Sequence, residues 1–356
     1  MNSRTGREHT LYARSMHAGF SIAVPADFQL ARDVCSYGYF LLCPNAWDPS
    51  SSTFWRVLDV GTKPAVLVWV SHTNPGGPLR VRTSRTTVAS ERESIRAQLT
   101  RMLWLDMPPT VSREFHRRDP RWRAAGRCRL FRSPSLFEDV IKTVTSCNVT
   151  WPSTVVMNRR LCEVVGTRVP LPVVKKARKA DSVRQVFTPE AFTFPTPSAL
   201  ARQRPARLRA LCRVGYRDAR IIELARLFAL PVSRGGVDQA MLTDPSTSDE
   251  RVREALLELP GVGPYAAANI LQLLGRYAHL PLDTESVRHG KSVLGMKGSS
   301  PAVMKQIAAH YKPFGPHRFR SYWFEMWREY ESKHGKAWTW ERTTTGRLFT
   351  AALLNK

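Results

Sequence analysis

The stretch LELPGVGPYAAANI, Leu257 to Ile270, sets two prolines and two glycines within five positions, between two segments that both read as helix. Upstream, DERVREALLEL places Val252, Ala255, Leu256 and Leu259 on one face. Pro260 lacks the amide that a continuing helix needs, so the first helix is expected to stop at Leu259. Gly261 and Gly263 both tolerate positive φ and carry no Cβ over the turn. Pro264 has the fixed φ suited to the first position of a new helix. The product is helix, tight hairpin, helix. Its tip, Gly261, Val262 and Gly263, offers bare amides beside a helix N-terminus, which suits a phosphate oxygen. An ordinary turn between packed helices uses the same residue types, so the reading needs support from the rest of the chain.

Net charge supplies it. The 356 residues carry 54 Lys plus Arg against 29 Asp plus Glu, a balance of +25, while 43% hydrophobic content fits a folded protein with a sizeable core. A folded chain this basic faces a polyanion, and nucleic acid fits better than a membrane surface because no long basic amphipathic helix is present. The longest apolar runs, such as AVLVWV, are too short to span a bilayer. Cys35, Cys43, Cys128, Cys147, Cys162 and Cys212 form no CxxC pair and no zinc spacing with histidine, and none lies beyond 212, so no metal site is expected and a C-terminal iron–sulfur cluster is excluded. Scattered thiols point to a reducing, intracellular compartment. His289 has no metal-spaced partner and reads as a surface or helix-end residue.

The expected fold class is α+β: an N-terminal antiparallel sheet packed on a mainly helical core of two lobes. Residues 1–20 read as a basic tail. Residues 21–115 read as the β domain, with FSIAVP, YGYFLLCP, FWRVLDVG, AVLVWVSH and LRVRTSR as short strands and ASERESIRAQLTRMLWLD as a closing helix. Residues 116–356 read as helical. There SPSLFEDVIKTVTSC opens on a cap signal, WPSTVVMNRRLCEVVG ends at Gly166, and 167–200 forms a loop rich in Pro, Lys and Arg.

LPGVGPYAAANILQLLG followed by LPLDTESVR resembles the signature of the helix–hairpin–helix–GPD DNA glycosylases. LFRSPSLFEDVIKTVTSCN and VGYRDARIIELARLF are similar to segments of the 8-oxoguanine branch, and YKPFGPHRFRSYWFEMW to the C-terminal region of the bacterial 3-methyladenine branch. VCSYGYFLLCPNAWDP resembles the opening of a plant and bacterial group of the superfamily. The resemblance spans most of 25–330, with the module itself at about 133–290.

What the resemblance implies falls on named positions. Asp283, 18 positions after Tyr265, matches the catalytic aspartate. Its carboxylate would stabilise the oxocarbenium-like sugar as the glycosidic bond breaks and help activate water. DTES before VRHG also makes it an N-cap, where the helix favours the ionised form. Members that cut the strand carry a lysine where this chain has Tyr265, and no lysine lies between Leu257 and Gly290. The implied reaction therefore stops at an abasic site, with Lys291 and Lys297 the nearest alternatives for a lyase. Tyr265 matches an aromatic position of the alkylpurine branch that stacks on an extruded base. Asn269, one turn on, would present its amide to the same pocket. Trp323 and Trp327 are further pocket candidates. Asn148 matches the asparagine that fills the gap left by the flipped nucleotide, and Arg217 and Arg220 are candidates for phosphate contact.

The expected function is thus a monofunctional DNA glycosylase acting as a monomer on double-stranded DNA with a modified base. It needs no cofactor, and relatives allow a monovalent cation on the hairpin carbonyls. Alkylated purines lead as substrate, ahead of oxidised purines and modified pyrimidines. A non-catalytic DNA clamp needs neither Asp283 nor an aromatic pocket. A third reading makes the chain a scaffold recruited through the basic loop from Lys175 to Arg184.

Overall fold

The computed structural model describes residues 17–61, 64–74, 76–169 and 191–348. Residues 1–16 of the expected N-terminal tail and the basic loop from Lys175 to Arg184 lie outside them, whereas residues 17–20, expected in the tail, belong to the first strand. Five strands, β1 (His17–Ile22), β2 (Ala46–Asp48), β3 (Thr53–Leu58), β4 (Val66–Ser71) and β5 (Leu79–Thr83), make one antiparallel sheet in the order β1-β5-β4-β3-β2. Register is fixed by pairs such as Trp55 with Trp69 and Val70 with Val81. Alternation is clearest on β5, where Arg80 and Arg82 face out. β3 and β4 are buried on both faces. Phe54, Val68 and Val70 point to the main core, while Trp55, Val57, Leu67 and Trp69 form a second cluster with Val169.

The expected strand in YGYFLLCP is instead a 3-10 turn, Gly38–Leu41, after a short helix α1 (Leu30–Val34). A run that is apolar throughout carries no period, and here every residue from Ala31's neighbour Arg32 to Trp47 is buried. The sheet is closed by α2 (Ala89–Leu103), and α3 (Pro109–Arg118) follows.

The helical part begins with α4 (Leu136–Ser146), whose N-cap Ser135 accepts from the Glu138 amide, and α5 (Trp151–Val165), which ends at Gly166. Then come α6 (Pro197–Ala201), α7 (Pro205–Cys212), α8 (Asp218–Ala229), α9 (Gln239–Thr243), α10 (Asp249–Leu257), α11 (Pro264–Leu273), α12 (Thr284–Ser292), α13 (Ser300–Tyr311), α14 (Arg318–His334) and α15 (Thr345–Leu348). Among the described residues no helix is long and apolar enough to cross a membrane.

Two large cores result. One joins the inner face of the sheet to the chain beyond Leu273, including Phe319, Phe324 and Trp327 of α14. The other holds α4, α5, α7, α8, α10 and most of α11. A buried charge cluster spans the gap between sheet and helices: Arg56 of β3 and Lys142 of α4 both bind Glu138, at 3.0 and 2.6 Å. α11 belongs to both cores, with Ala266, Ala267, Ile270 and Leu271 in the second and Leu273 in the first. The residues around Asp283 gather along this seam.

Candidate active site

The hairpin forms as a turn between α10 and α11, with α10 ending at Leu257, two residues before Leu259. Val262 is buried as its anchor and its amide donates to the Leu259 carbonyl at 3.0 Å. The two glycines differ. Gly261 has φ +77, and a Cβ there would lie 2.9 Å from Cδ of Arg220. Gly263 has φ −92 and ψ −176, an extended N-cap that any residue adopts, and a Cβ there would meet no protein atom within 4 Å. Positive φ is thus needed at Gly261 alone, and Gly263 leaves open space in front of the first turn of α11. No side chain caps that helix, so its first amides keep their donors for an outside acceptor.

Asp283 is the N-cap of α12. Its Oδ1 accepts from the Ser286 amide at 2.9 Å and from the Ser286 hydroxyl at 3.1 Å, and its own amide donates to the Ser286 Oγ at 3.1 Å. Among the described residues nothing bonds Oδ2 and no cation pairs with the carboxylate, which is partly exposed. Its neighbours include buried phenols, a thiol and the Glu285 carboxyl. Burial first, and the Asp283 charge second, raise the hydroxyls of Tyr265 and Tyr322 well above the usual tyrosine range. Burial pushes the Cys147 thiol up to about 11, with Arg217 opposing and Asp283 adding to it. A carboxylate with no paired cation and one oxygen free of protein donors is suited to a developing cation.

The aromatic wall has a member that sequence reasoning missed. Tyr37, from the 3-10 turn, donates its hydroxyl to Asn269 Oδ1 at 3.2 Å and packs on Trp323 with ring centroids 4.7 Å apart. Asn269 in turn donates to the Tyr265 carbonyl at 3.2 Å. Tyr265, Asn269, Trp323 and Asp283 are therefore brought together, with Tyr37 closing the set. Burial raises the Tyr37 hydroxyl above its usual range, with Asp139 and Asp283 contributing further. Its signal was a tyrosine inside an uninterrupted apolar run, where a hydroxyl needs a partner.

Three expectations need correction. Trp327 is fully buried, stacked behind Trp323 at 5.3 Å, and donates to the Cys35 carbonyl at 3.1 Å. It supports the wall from behind and does not face a base. Arg217 is buried as well. Its Nε donates to the Val144 carbonyl (3.2 Å) and its Nη2 to the Cys147 carbonyl and the Tyr216 hydroxyl, so these donors hold the chain rather than a phosphate. That grip fixes the turn after α4, where Asn148 is exposed with φ +52. Arg220 is exposed beside Gly261, and its guanidinium lies 5.5 Å from the ring of Tyr216, itself 56% exposed. An exposed aromatic between Asn148 and the hairpin was not foreseen; GYR carried no periodic signal. His289, expected at the surface, is fully buried between Glu329 and Tyr311. Lys291 is exposed at the far end of α12, about 12 Å along the axis from Asp283.

No family model matches the chain, and no curated protein matches it. Solved structures do. The 3-methyladenine DNA glycosylase of Archaeoglobus fulgidus aligns at a TM-score of 0.58 and 18% identity, over 87% of this chain and 98% of its own. The 8-oxoguanine glycosylase/lyase of Clostridium acetobutylicum aligns at 0.59 and 14% identity, both in its apo form (87% and 99% covered) and bound to double-stranded DNA with cytosine opposite 8-oxoguanine (90% and 99%). At these identities the likeness is one of fold. The chain shares the α+β fold of these DNA glycosylases, the fold that the sequence resemblance implies.

Proposed function

We propose that this protein is a monofunctional DNA glycosylase. The observation that carries the reading is Asp283: an N-cap carboxylate with one oxygen tied to Ser286 and, among the described residues, no partner on the other and no cation beside it, in a chain with the glycosylase fold. The hairpin amides of Gly261 and Gly263, with Arg220, hold a backbone phosphate. Asn148 and Tyr216 face the duplex where a nucleotide leaves it, and Tyr37, Tyr265 and Trp323 supply rings against which the extruded base stacks. The bond between C1′ and the base nitrogen breaks with its electron pair leaving on the base, so a cationic alkylated purine departs neutral and a neutral lesion takes up a proton from water. Asp283 stabilises the sugar cation, water adds its oxygen to C1′, and the carboxylate accepts the released proton. The products are a free base and an abasic site.

A lyase step needs an amine at the sugar. The hairpin helix offers Tyr265 instead, Lys291 lies at the opposite end of α12, and Lys142 is fully buried against Glu138. Borohydride is expected to trap no covalent adduct with abasic DNA. Alkylated purines lead as substrates, with oxidised purines and modified pyrimidines next. A panel of duplexes carrying single 7-methylguanine, 8-oxoguanine or 5-hydroxymethyluracil, incubated with the protein and then heated in alkali, tests the proposal. Cleavage at one lesion only after alkali is expected. Tight duplex binding with no cleavage anywhere in a panel widened to other alkylated, oxidised and bulky modified bases overturns it in favour of a clamp.

A further inference from the structure

The Tyr322 side chain of α14 is buried and its hydroxyl lies 2.6 Å from the Ser286 Oγ. The Ser286 hydroxyl is one donor with two acceptor positions, and four groups surround it. The Asp283 amide donates to it at 3.1 Å. Burial holds the Tyr322 hydroxyl far above the ordinary tyrosine range, reinforced by the Asp283 charge, so it keeps its proton. Two acceptors remain: Asp283 Oδ1 at 3.1 Å and the Pro281 carbonyl at 3.5 Å. If Tyr322 donates, both acceptor positions of Ser286 are filled, and its single proton goes to the nearer, charged oxygen of Asp283.

We infer that Tyr322 is a positioning residue for Asp283, acting through Ser286: it fixes the direction of the serine proton, so that Oδ1 carries two donors and Oδ2 alone faces the sugar. This rests on the glycosylase reading for its consequence but not for its wiring. Removing the phenol oxygen lets the serine proton turn away, and Oδ1 loses a donor that stabilises its ionised form. The groups that bear on this carboxylate are Tyr37 from the N-terminal turn, Cys147 after α4, Tyr265 on α11, Glu285 on α12 and Tyr322 on α14. Around Tyr322 itself lie His289 and Tyr311.

The test uses the full chain with Tyr322→Phe, Ser286→Ala and both together. On the duplex that the wild type cleaves, each single change is expected to lower single-turnover base release about tenfold or more, the range of a hydrogen bond to a charged group. The acid limb of the pH–rate profile moves to higher pH, and affinity for a duplex with a tetrahydrofuran abasic analogue stays within twofold. The double variant falls no further than Ser286→Ala, because both act through one oxygen. Independently of activity, carboxyl carbon NMR with labelled aspartate, assigned by Asp283→Asn, is expected to show Asp283 titrating at higher pH in Tyr322→Phe. An unchanged titration in Tyr322→Phe and in Ser286→Ala overturns the inference, as do additive losses in the double variant. If the wild type releases no base from any duplex, the glycosylase reading fails and the NMR result still decides the wiring.

Discussion

Gly261 and Gly263 stand two positions apart and separate two roles. Gly261→Ala forces a Cβ into the left-handed region and against Arg220, so it costs stability, about 1–2 kcal/mol, and is measured as a lowered melting temperature. Gly263→Ala fits the backbone and meets only open space, so melting stays nearly unchanged while affinity for a nonspecific duplex falls. Equal effects of the two on melting contradict this division. The sequence made both glycines look alike, because composition reports permission for positive φ and not its use. Asp283 was legible as a cap from DTES alone, since the N-cap interaction is local. Arg217 was not. Whether an arginine meets phosphate or carbonyl depends on which backbone folds over it, and here Val144 and Cys147 lie 73 and 70 residues away in sequence.

At the scale of the element, α14 presents one tryptophan to the site and keeps the next behind it. Trp323 is partly exposed and tethered by the Ser36 carbonyl at 2.8 Å, whereas Trp327 is fully buried. Trp323→Ala is therefore expected to slow base release more than it weakens duplex binding, measured as single-turnover rate against affinity. Trp327→Ala creates a cavity in the main core and is expected to cost about 3–5 kcal/mol in chemical denaturation. Helices around the hairpin were readable because caps, prolines and a 3.6-residue period agree there. The turn that carries Tyr37 was not, since its neighbours are apolar in every direction and lack any period to separate strand from turn. One side of the aromatic wall thus came from a segment whose sequence looked like sheet.

Across the whole molecule, charge is used in two ways. Outside, the excess of +25 is expected to make duplex affinity fall steeply with salt. Inside, buried ions tie the two cores. For Glu138 burial acts to raise the carboxyl, but Arg56 and Lys142 outweigh it and hold it down at about 2. Glu138→Ala strands two buried cations and is expected to cost about 3–5 kcal/mol, read by denaturant titration. His317 contributes to the acid response alongside His279 and His289, which burial also lowers. The His317 Nδ1 accepts from Arg320 at 2.8 Å, and burial with that neighbouring charge lowers it from 6.5 to about 4. The unfolded chain takes up the proton first, so stability is full above pH 6.5 and is lost as pH falls toward 4, a change on the order of 3 kcal/mol. Melting temperature followed across that window checks it, and His317→Gln is expected to flatten the slope. The account as a whole stands on one carboxylate and is tested most directly by Asp283→Asn. The asparagine keeps the oxygen that caps α12 and removes the charge. It is expected to bind the abasic-analogue duplex as the wild type does and to release no base from the duplex the wild type cleaves. Base release by Asp283→Asn at the wild-type rate contradicts the account.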